Sequence, residues 1–423
     1  MKRLIVLQVL FLLLLVHGYS QTIVNFKIMD QYFNDMLYDS VSSRIIISIP
    51  STDNIHGNSI GFIDPGNVVL TGYYFIGSEP NPLAITENRK YLYVGLDGAS
   101  KVKKFNIKTH TSELTFSLGY HWAFGTFRAN NISCKPGSDT DVAIARVSGG
   151  NAMGVAIYSN GVKYSDTISY YPQTPDVVHF NTSSRLYGYE NSSSGYRFFT
   201  MPVDTNGVSI ANQLSYLFNG FYLDFYIHNG QALSDNGTLL DLTGDSPSLL
   251  GVYKIPSGVG IELTKACFDP YLNLVCFARK SYWDNTVTIY RFNADTFLKY
   301  DEIQLPGVTS DVTKIINWGD KTQYALGTKD GKLIIINGNF TTGTNTYKNE
   351  SLSAFPNPAV DRITIIAPEK TELEIVNIDG KCIKSMIIAQ NKTTIDISGF
   401  AKGIYCVKTK MNNEFLTTKF VKQ

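Results

Sequence analysis

The chain has 423 residues, 37 Lys and Arg against 36 Asp and Glu, and a formal net charge of +1. That balance removes any electrostatic reason to expect nucleic acid or an anionic membrane as partner, and the length points to one large domain plus a small one. With 26 Tyr, 24 Phe and 34 Gly, the composition suits half-buried pleated strands joined by turns, so an all-β chain is expected.

Lys2 and Arg3 precede an apolar run from Leu4 to Val16, and Gly18 and Ser20 frame a cut before Gln21. This is the pattern of a removable secretion signal over residues 1–20. The run is shorter than the roughly 20 residues a bilayer-spanning helix takes. Nothing downstream is long and apolar enough to replace it, so no transmembrane segment is expected after signal removal.

Residues 36 to 337 divide into segments of about 40 residues, the period of propeller blades. The clearest unit runs from Asn81 to Gly119. An inner strand at Pro82–Ile85 is followed by Tyr91–Gly95, by the alternating Lys101–Ile107, and by an outer strand at Leu114–Leu118. The same grammar recurs around Ile45–Ile49, Leu186–Tyr189, Leu274–Ala278 and Tyr324–Gly327, and more weakly over 127–169 and 221–260, which makes seven blades. The last unit stops after three strands at Asn337, and the alternating Thr22–Ile28 is free to supply the fourth and close the ring. The units resemble the broad YVTN/WD40-like propeller superfamily through runs such as Arg89–Val94 with Val102–Asn106, although Trp-Asp blade ends are absent. Two packed β-sandwiches are the alternative arrangement.

Gly338–Asn349 is rich in Gly, Asn and Thr and reads as a linker. The expected boundaries are therefore 21–340 for the propeller, 341–352 for the linker and 353–423 for a terminal module. That module begins with Pro356-Asn357-Pro358, turns at Asp379-Gly380-Lys381, continues through Asp396–Ser398 and Gly403-Ile404-Tyr405, and ends in a strand carrying Lys419 and Lys422. Its alternating strands predict a small antiparallel, Ig-like β-sandwich. In this order the motifs resemble the type A C-terminal sorting domain of the type IX secretion system of Bacteroidota. The resemblance implies that the export machinery is a partner and that the chain crosses the periplasm and then the outer membrane. It also implies that the domain is cleaved and the protein is released or held at the cell surface.

Five cysteines remain. Cys267 and Cys276 flank one turn, either as hairpin partners or as two buried small side chains, and Cys382 and Cys406 are a second possible pair inside the small module. No Cys/His spacing, His-Glu-x-x-His, Gly-x-Ser-x-Gly or phosphate-binding glycine motif is present, so no catalytic residue, metal ligand or cofactor is assigned. In a propeller the loops joining strands two and three, and those joining blades, gather on one rim. Here they carry His56, His121, Trp122, Glu190, Arg279, Tyr282 and Trp283. Exposed aromatics on such loops suit a glycan or protein ligand; the alternative is that Trp122 and Trp283 pack between blades. A propeller lyase or lactonase is the competing function and requires three or more His, Asp or Glu converging on the channel mouth; a purely structural surface role is the third.

Overall fold

The computed structural model describes residues 21–22, 25–169, 174–256, 264–281, 285–338, 352–367, 372–378, 380–388, 390, 392–411 and 414–423. Residues 1–20, expected to be a signal, the residues Tyr282, Trp283 and Asp379, and most of the expected linker lie outside them. The chain divides into two compact units, 1–343 and 344–423. Among the described residues there is no helix.

The first unit is a ring of seven four-stranded antiparallel sheets. Blade 1 comprises Asp35–Asp39, Arg44–Ile49, Ser59–Asp64 and Val69–Phe75. Blade 2 comprises Pro80–Ile85, Tyr91–Leu96, Lys101–Asn106 and Thr111–Ser117. Blade 3 comprises Arg128–Cys134, Asp141–Ser148, Asn151–Ser159 and Val162–Lys163. Blade 4 comprises Val177–Thr182, Arg185–Tyr189, Arg197–Pro202 and Asn212–Ser215. Blade 5 comprises Phe225–His228, Gln231–Ser234, Thr238–Asp241 and Ser248–Val252. Blade 6 comprises Thr264–Asp269, Leu274–Lys280, Val287–Asn293 and Lys299–Leu305. Blade 7 has Val312–Asn317, Tyr324–Thr328 and Lys332–Ile336, completed by Phe26–Asp30.

That last pairing closes the ring. Phe26–Asp30 lies antiparallel to Lys332–Ile336, with Ile28 opposite Ile334. The N-terminal stretch is not one strand over Thr22–Ile28, however. Gln21–Thr22 runs parallel to the outer strand of blade 6, so the chain bridges the outer edges of two blades before it enters blade 1. Each innermost strand contacts the next, and the seventh contacts the first.

The blades hold together through alternation. In blade 1, Ile46 packs with Leu92, Val94 and Phe105 of blade 2, while Ile45, Ile47 and Ile49 pack with Ala325, Leu333 and Ile335 of blade 7. A middle strand is thus buried on both faces and reads as a continuous apolar run. Corresponding clusters fill the remaining blade interfaces. The turns between third and fourth strands of five blades share a local rule: the third strand ends in, or is followed within two residues by, an Asp or Asn whose side-chain oxygen accepts backbone N–H groups of the turn. Asp64 caps Gly66, Asn106 caps Lys108 and Thr109, Asp204 caps Asn206, Asp241 caps Thr243, and Asn293 caps Asp295 and Thr296.

The second unit is a sandwich. Ser353–Phe355, Arg362–Ile366 and Lys392–Asp396 form one sheet; Cys382–Ile387, Glu372–Asn377, Gly403–Met411 and Glu414–Lys422 form the other. Ile363, Leu373, Ile375, Ile395, Val407 and Phe420 fill the space between. Cys382 and Cys406 both pair with Val376 from opposite sides. They are two strand spacings apart, about 9–10 Å, beyond the roughly 4.4–6.8 Å Cα separation of a disulfide. The pairing the sequence left open there is excluded by register.

Candidate functional site

In every blade the first strand is innermost, so the loops between second and third strands and the connections between blades emerge on one face. His56 lies in the second-to-third loop of blade 1 and Glu190 in that of blade 4, but Arg279, expected on a loop, lies within the second strand of blade 6, opposite Thr264 and Thr288, because that strand runs on to Lys280. His121 and Trp122 lie on the connection from blade 2 to blade 3. Their surroundings differ. The His56 ring stands edge-on to Tyr73 at 4.4 Å and its Nδ1 is 3.8 Å from Asp53. Burial works against the charge of Asp53, but hydrogen bonds from the His56 and Ile55 amides and from Gln31 hold its carboxyl below the usual range. Glu190 is buried and clipped by Arg197 at 2.7 Å and by the Ser193 hydroxyl at 2.6 Å. Arg279 is also buried, its guanidinium 5.5 Å from the Tyr290 ring.

His121 and Trp122 are brought together. Tyr120–His121 and Gly125–Thr126 form a short hairpin, turned by Gly125 at φ 89°. It is pinned on both sides, at its base by Thr126 to Ser100 of blade 2 at 3.0 Å and at its turn by the Phe124 carbonyl to the Ser148 hydroxyl of blade 3 at 2.5 Å. At its tip the His121 ring sits 5.7 Å from Trp122 and 4.9 Å from Phe124. Trp122 is 86% exposed and Tyr120 71%, so Trp122 does not pack between blades.

A second aromatic cluster on the same face escaped the sequence reading. Tyr216, Phe221 and Tyr222 lie on the connection from blade 4 to blade 5, and Tyr196 of the adjoining loop meets Tyr216 at 6.2 Å and Phe221 at 5.1 Å. Tyr222 is 73% exposed and Tyr216 66%. Tyr196, Tyr216 and Tyr222 have φ of 43°, 63° and 58°, a left-handed conformation that bulky residues avoid and that costs on the order of 1–3 kcal/mol each. Hydrogen bonds hold it in place. The Tyr216 amide donates to the Tyr196 carbonyl at 3.1 Å, the Tyr222 amide to the Asn191 carbonyl at 2.9 Å, and the Tyr189 hydroxyl to the Gly220 carbonyl at 2.8 Å. The density of aromatics in Tyr216–Tyr222 around Asn219-Gly220 was the available signal.

The innermost strands begin on this face and carry ionic groups. Lys314 pairs with Asp35, Lys265 with Asp235 at 2.8 Å, and His179 with Asp224 at 3.4 Å. Asp224 keeps 31% side-chain exposure; burial opposes its charge, but His179 together with Lys265 and Lys314 holds its pKa down. The carboxylates also tie blades together. Asp35 accepts the Leu83 amide of blade 2 at 2.9 Å, and Asp235 accepts the Ala266 amide of blade 6 and the Asp224 amide at 3.0 Å each. Their oxygens are therefore committed, and among the described residues no group of three or more His, Cys, Asp or Glu is arranged to hold a metal ion.

In the small sandwich the sorting-motif residues explain themselves structurally. Asn357 donates to the Lys419 carbonyl at 3.1 Å and accepts from the Val421 amide at 2.9 Å, and Ala359 continues this clasp on the last strand through Val421 and Gln423. Pro356 and Pro358 flank it on the surface. Gly380 turns at φ 79°, where the Lys381 amide donates to Asn377 Oδ1 at 2.9 Å. Gly403, at φ 157°, starts the strand on which Tyr405 stacks on Phe420 at 5.4 Å and donates to the Ala401 carbonyl at 2.8 Å. Lys419 is exposed, whereas Lys422 is buried and donates to the Gln423 carbonyl at 2.8 Å.

Residues 353–423 match the family model described as a secretion system C-terminal sorting domain. No curated protein matches the sequence. Among solved structures, the β-propeller domain of Cps50 (Swd1) from Myceliophteria thermophila aligns with a TM-score of 0.57 at 10% identity, covering 74% of this chain and 98% of that one. Hydrazine synthase from Kuenenia stuttgartiensis aligns with a TM-score of 0.54 at 14% identity, covering 73% and 97%. At such identities the likeness is one of fold. The chain is a seven-bladed β-propeller that carries the C-terminal sorting domain of the type IX secretion system, and so an exported protein destined for secretion or the cell surface.

Proposed function

We propose that the propeller is a carbohydrate-binding module acting at or beyond the cell surface, with the loop-bearing face as its binding face. One observation carries this: two aromatic clusters, Tyr120, Trp122 and Phe124 on one connection and Tyr216, Phe221 and Tyr222 on another, stand exposed on a rigid ring. Flat aromatic faces give large apolar contact at little entropic cost and stack on the C–H faces of sugar rings. The charged side chains nearby, Glu190 with Arg197 and Asp53 with His56, are already paired, which favours a neutral glycan over an anionic one. The paired carboxylates of the channel make a lyase or lactonase the weaker reading. On this reading residues 1–20 are a signal that delivers the chain to the periplasm, residues 21–340 bind, and a linker at 341–352 separates the type A sorting domain, as in Bacteroidota.

The exported protein is tested on a glycan array, with Trp122→Ala and Tyr216→Ala beside the parent. Binding to a neutral glycan falls at least ten-fold in each variant, about 1.4 kcal/mol, while melting temperatures stay close to the parent's because both side chains are exposed. Unchanged binding in both variants, or capture of protein ligands with no glycan bound, refutes the proposal.

A further inference from the structure

Blade 6 contains two cysteines in direct opposition. Cys267 on the innermost strand and Cys276 on the second strand are register partners across an antiparallel ladder, between the pairs Ala266–Phe277 and Phe268–Val275. Opposed residues in such a ladder have Cα atoms about 4.5–5.5 Å apart, inside the roughly 4.4–6.8 Å window of a disulfide. Side-chain direction agrees. Both sulfurs enter the core between blades 6 and 7, whereas the neighbouring Ala266, Val275 and Phe277 face blade 5. The two thiols face each other across the ladder. Cys276 in turn donates to the Tyr324 hydroxyl at 3.3 Å, and that hydroxyl donates to Asp269 at 2.5 Å.

We propose that Cys267 and Cys276 form a disulfide in the exported protein, clamping the hairpin that begins blade 6. The destination supplies the setting, because an exported chain meets an oxidising compartment. The opposing Cys276 thiol and then burial raise the Cys267 thiol well above its ordinary value, so the packed thiols are poor nucleophiles. The bond therefore forms before blade 7 covers the pair. In the exchange the two thiols release two protons and pass two electrons to the disulfide of a thiol–disulfide oxidoreductase; one Sγ–Sγ bond forms and the oxidoreductase leaves as a dithiol. Oxidation orphans no buried hydrogen, since the Tyr324 hydroxyl keeps Asp269 as its acceptor. Once formed, the bond lies where soluble reductants do not reach it, Cys267 being 7% exposed and Cys276 fully buried.

The test is peptide mapping of the full chain recovered from outside the cell, denatured in a thiol-alkylating reagent without reductant. The expected result is a single cross-linked species containing both cysteines, with Cys134 alkylated; full alkylation of both Cys267 and Cys276 overturns the proposal. Urea unfolding with and without dithiothreitol, the reductant being added to the fully unfolded chain before dilution along the urea series, gives an independent readout. The parent's midpoint falls on reduction, while that of Cys267→Ala does not respond. A parent midpoint indifferent to reductant likewise overturns the assignment, and the mapping stands alone should the variant fail to fold.

Discussion

Asp235 offers a quantitative test of the ionic channel. It sits in the second-to-third turn of blade 5, fully buried, receiving the Ala266 and Asp224 amides and the Lys265 ammonium. Burial outweighs the attraction of Lys265 and raises its carboxyl from 3.8 to about 6. A raised value means that the folded state holds the proton more tightly than the unfolded chain does. The resulting stabilisation is present in full below pH 3.8 and is lost as pH climbs through about 6. Each pH unit of displacement corresponds to about 1.36 kcal/mol, so the loss amounts to about 3 kcal/mol. Asp235→Asn abolishes the titration while adding only a pH-independent offset. Urea unfolding of both proteins at closely spaced pH values gives the stability of the parent minus that of the variant. This difference declines by about 3 kcal/mol across the window, and the many other carboxylates cancel in the subtraction. A difference that stays flat, or one that rises with pH, shows that Asp235 is not a desolvated carboxyl and that the channel is wetter than its geometry implies.

Two further outcomes follow from named contacts. Asn357→Ala removes the two side-chain hydrogen bonds from Asn357 to the terminal strand and leaves the backbone bonds of Ala359 in place; it destabilises the sandwich by about 1–2 kcal/mol and lowers the exported fraction, measured as protein outside against inside the cell. Tyr222→Asn replaces a strained left-handed tyrosine, φ 58°, with a residue that tolerates that conformation, so stability in urea rises by about 0.5–1 kcal/mol while glycan binding falls.

The number of blades was legible because each middle strand must bury both faces. Arg44–Ile49 and Tyr91–Leu96 therefore stand out as apolar runs at regular spacing. Blades 3 and 5 read poorly for a physical reason: the outer strand of blade 3 is Val162–Lys163 alone, and the strands of blade 5 have four or five residues, too short to display a period. The closing strand was visible in its alternation, but its division between blades 6 and 7 was not, because alternation is indifferent to which sheet a strand joins. Asp35 and Lys314 are 279 positions apart and meet only because the ring closes; no local pattern encodes that contact. His121 and Trp122 were legible as aromatics on a connection, whereas Tyr196, Tyr216 and Tyr222 depend on the sign of φ, which residue type alone argues against.

That contradiction between residue type and conformation bears on how the two aromatic clusters differ. The hairpin of Trp122 is turned by glycine, so its tip costs little to hold and its aromatics owe their position to the pins at Ser100 and Ser148. The cluster of Tyr216 and Tyr222 places tyrosine where asparagine or glycine would be easier; its backbone is held by the bonds to Tyr196, Asn191 and Gly220, and Tyr196 packs against the core of Phe198, Phe218 and Phe225. A chain shaped only for stability would relax such positions. Holding three tyrosines in the left-handed region through these bonds restricts the directions their rings can take, and a restricted ring leaves less ordering to be done on binding. On the proposed carbohydrate-binding reading, the strained cluster is the primary contact surface and the Trp122 hairpin the secondary one.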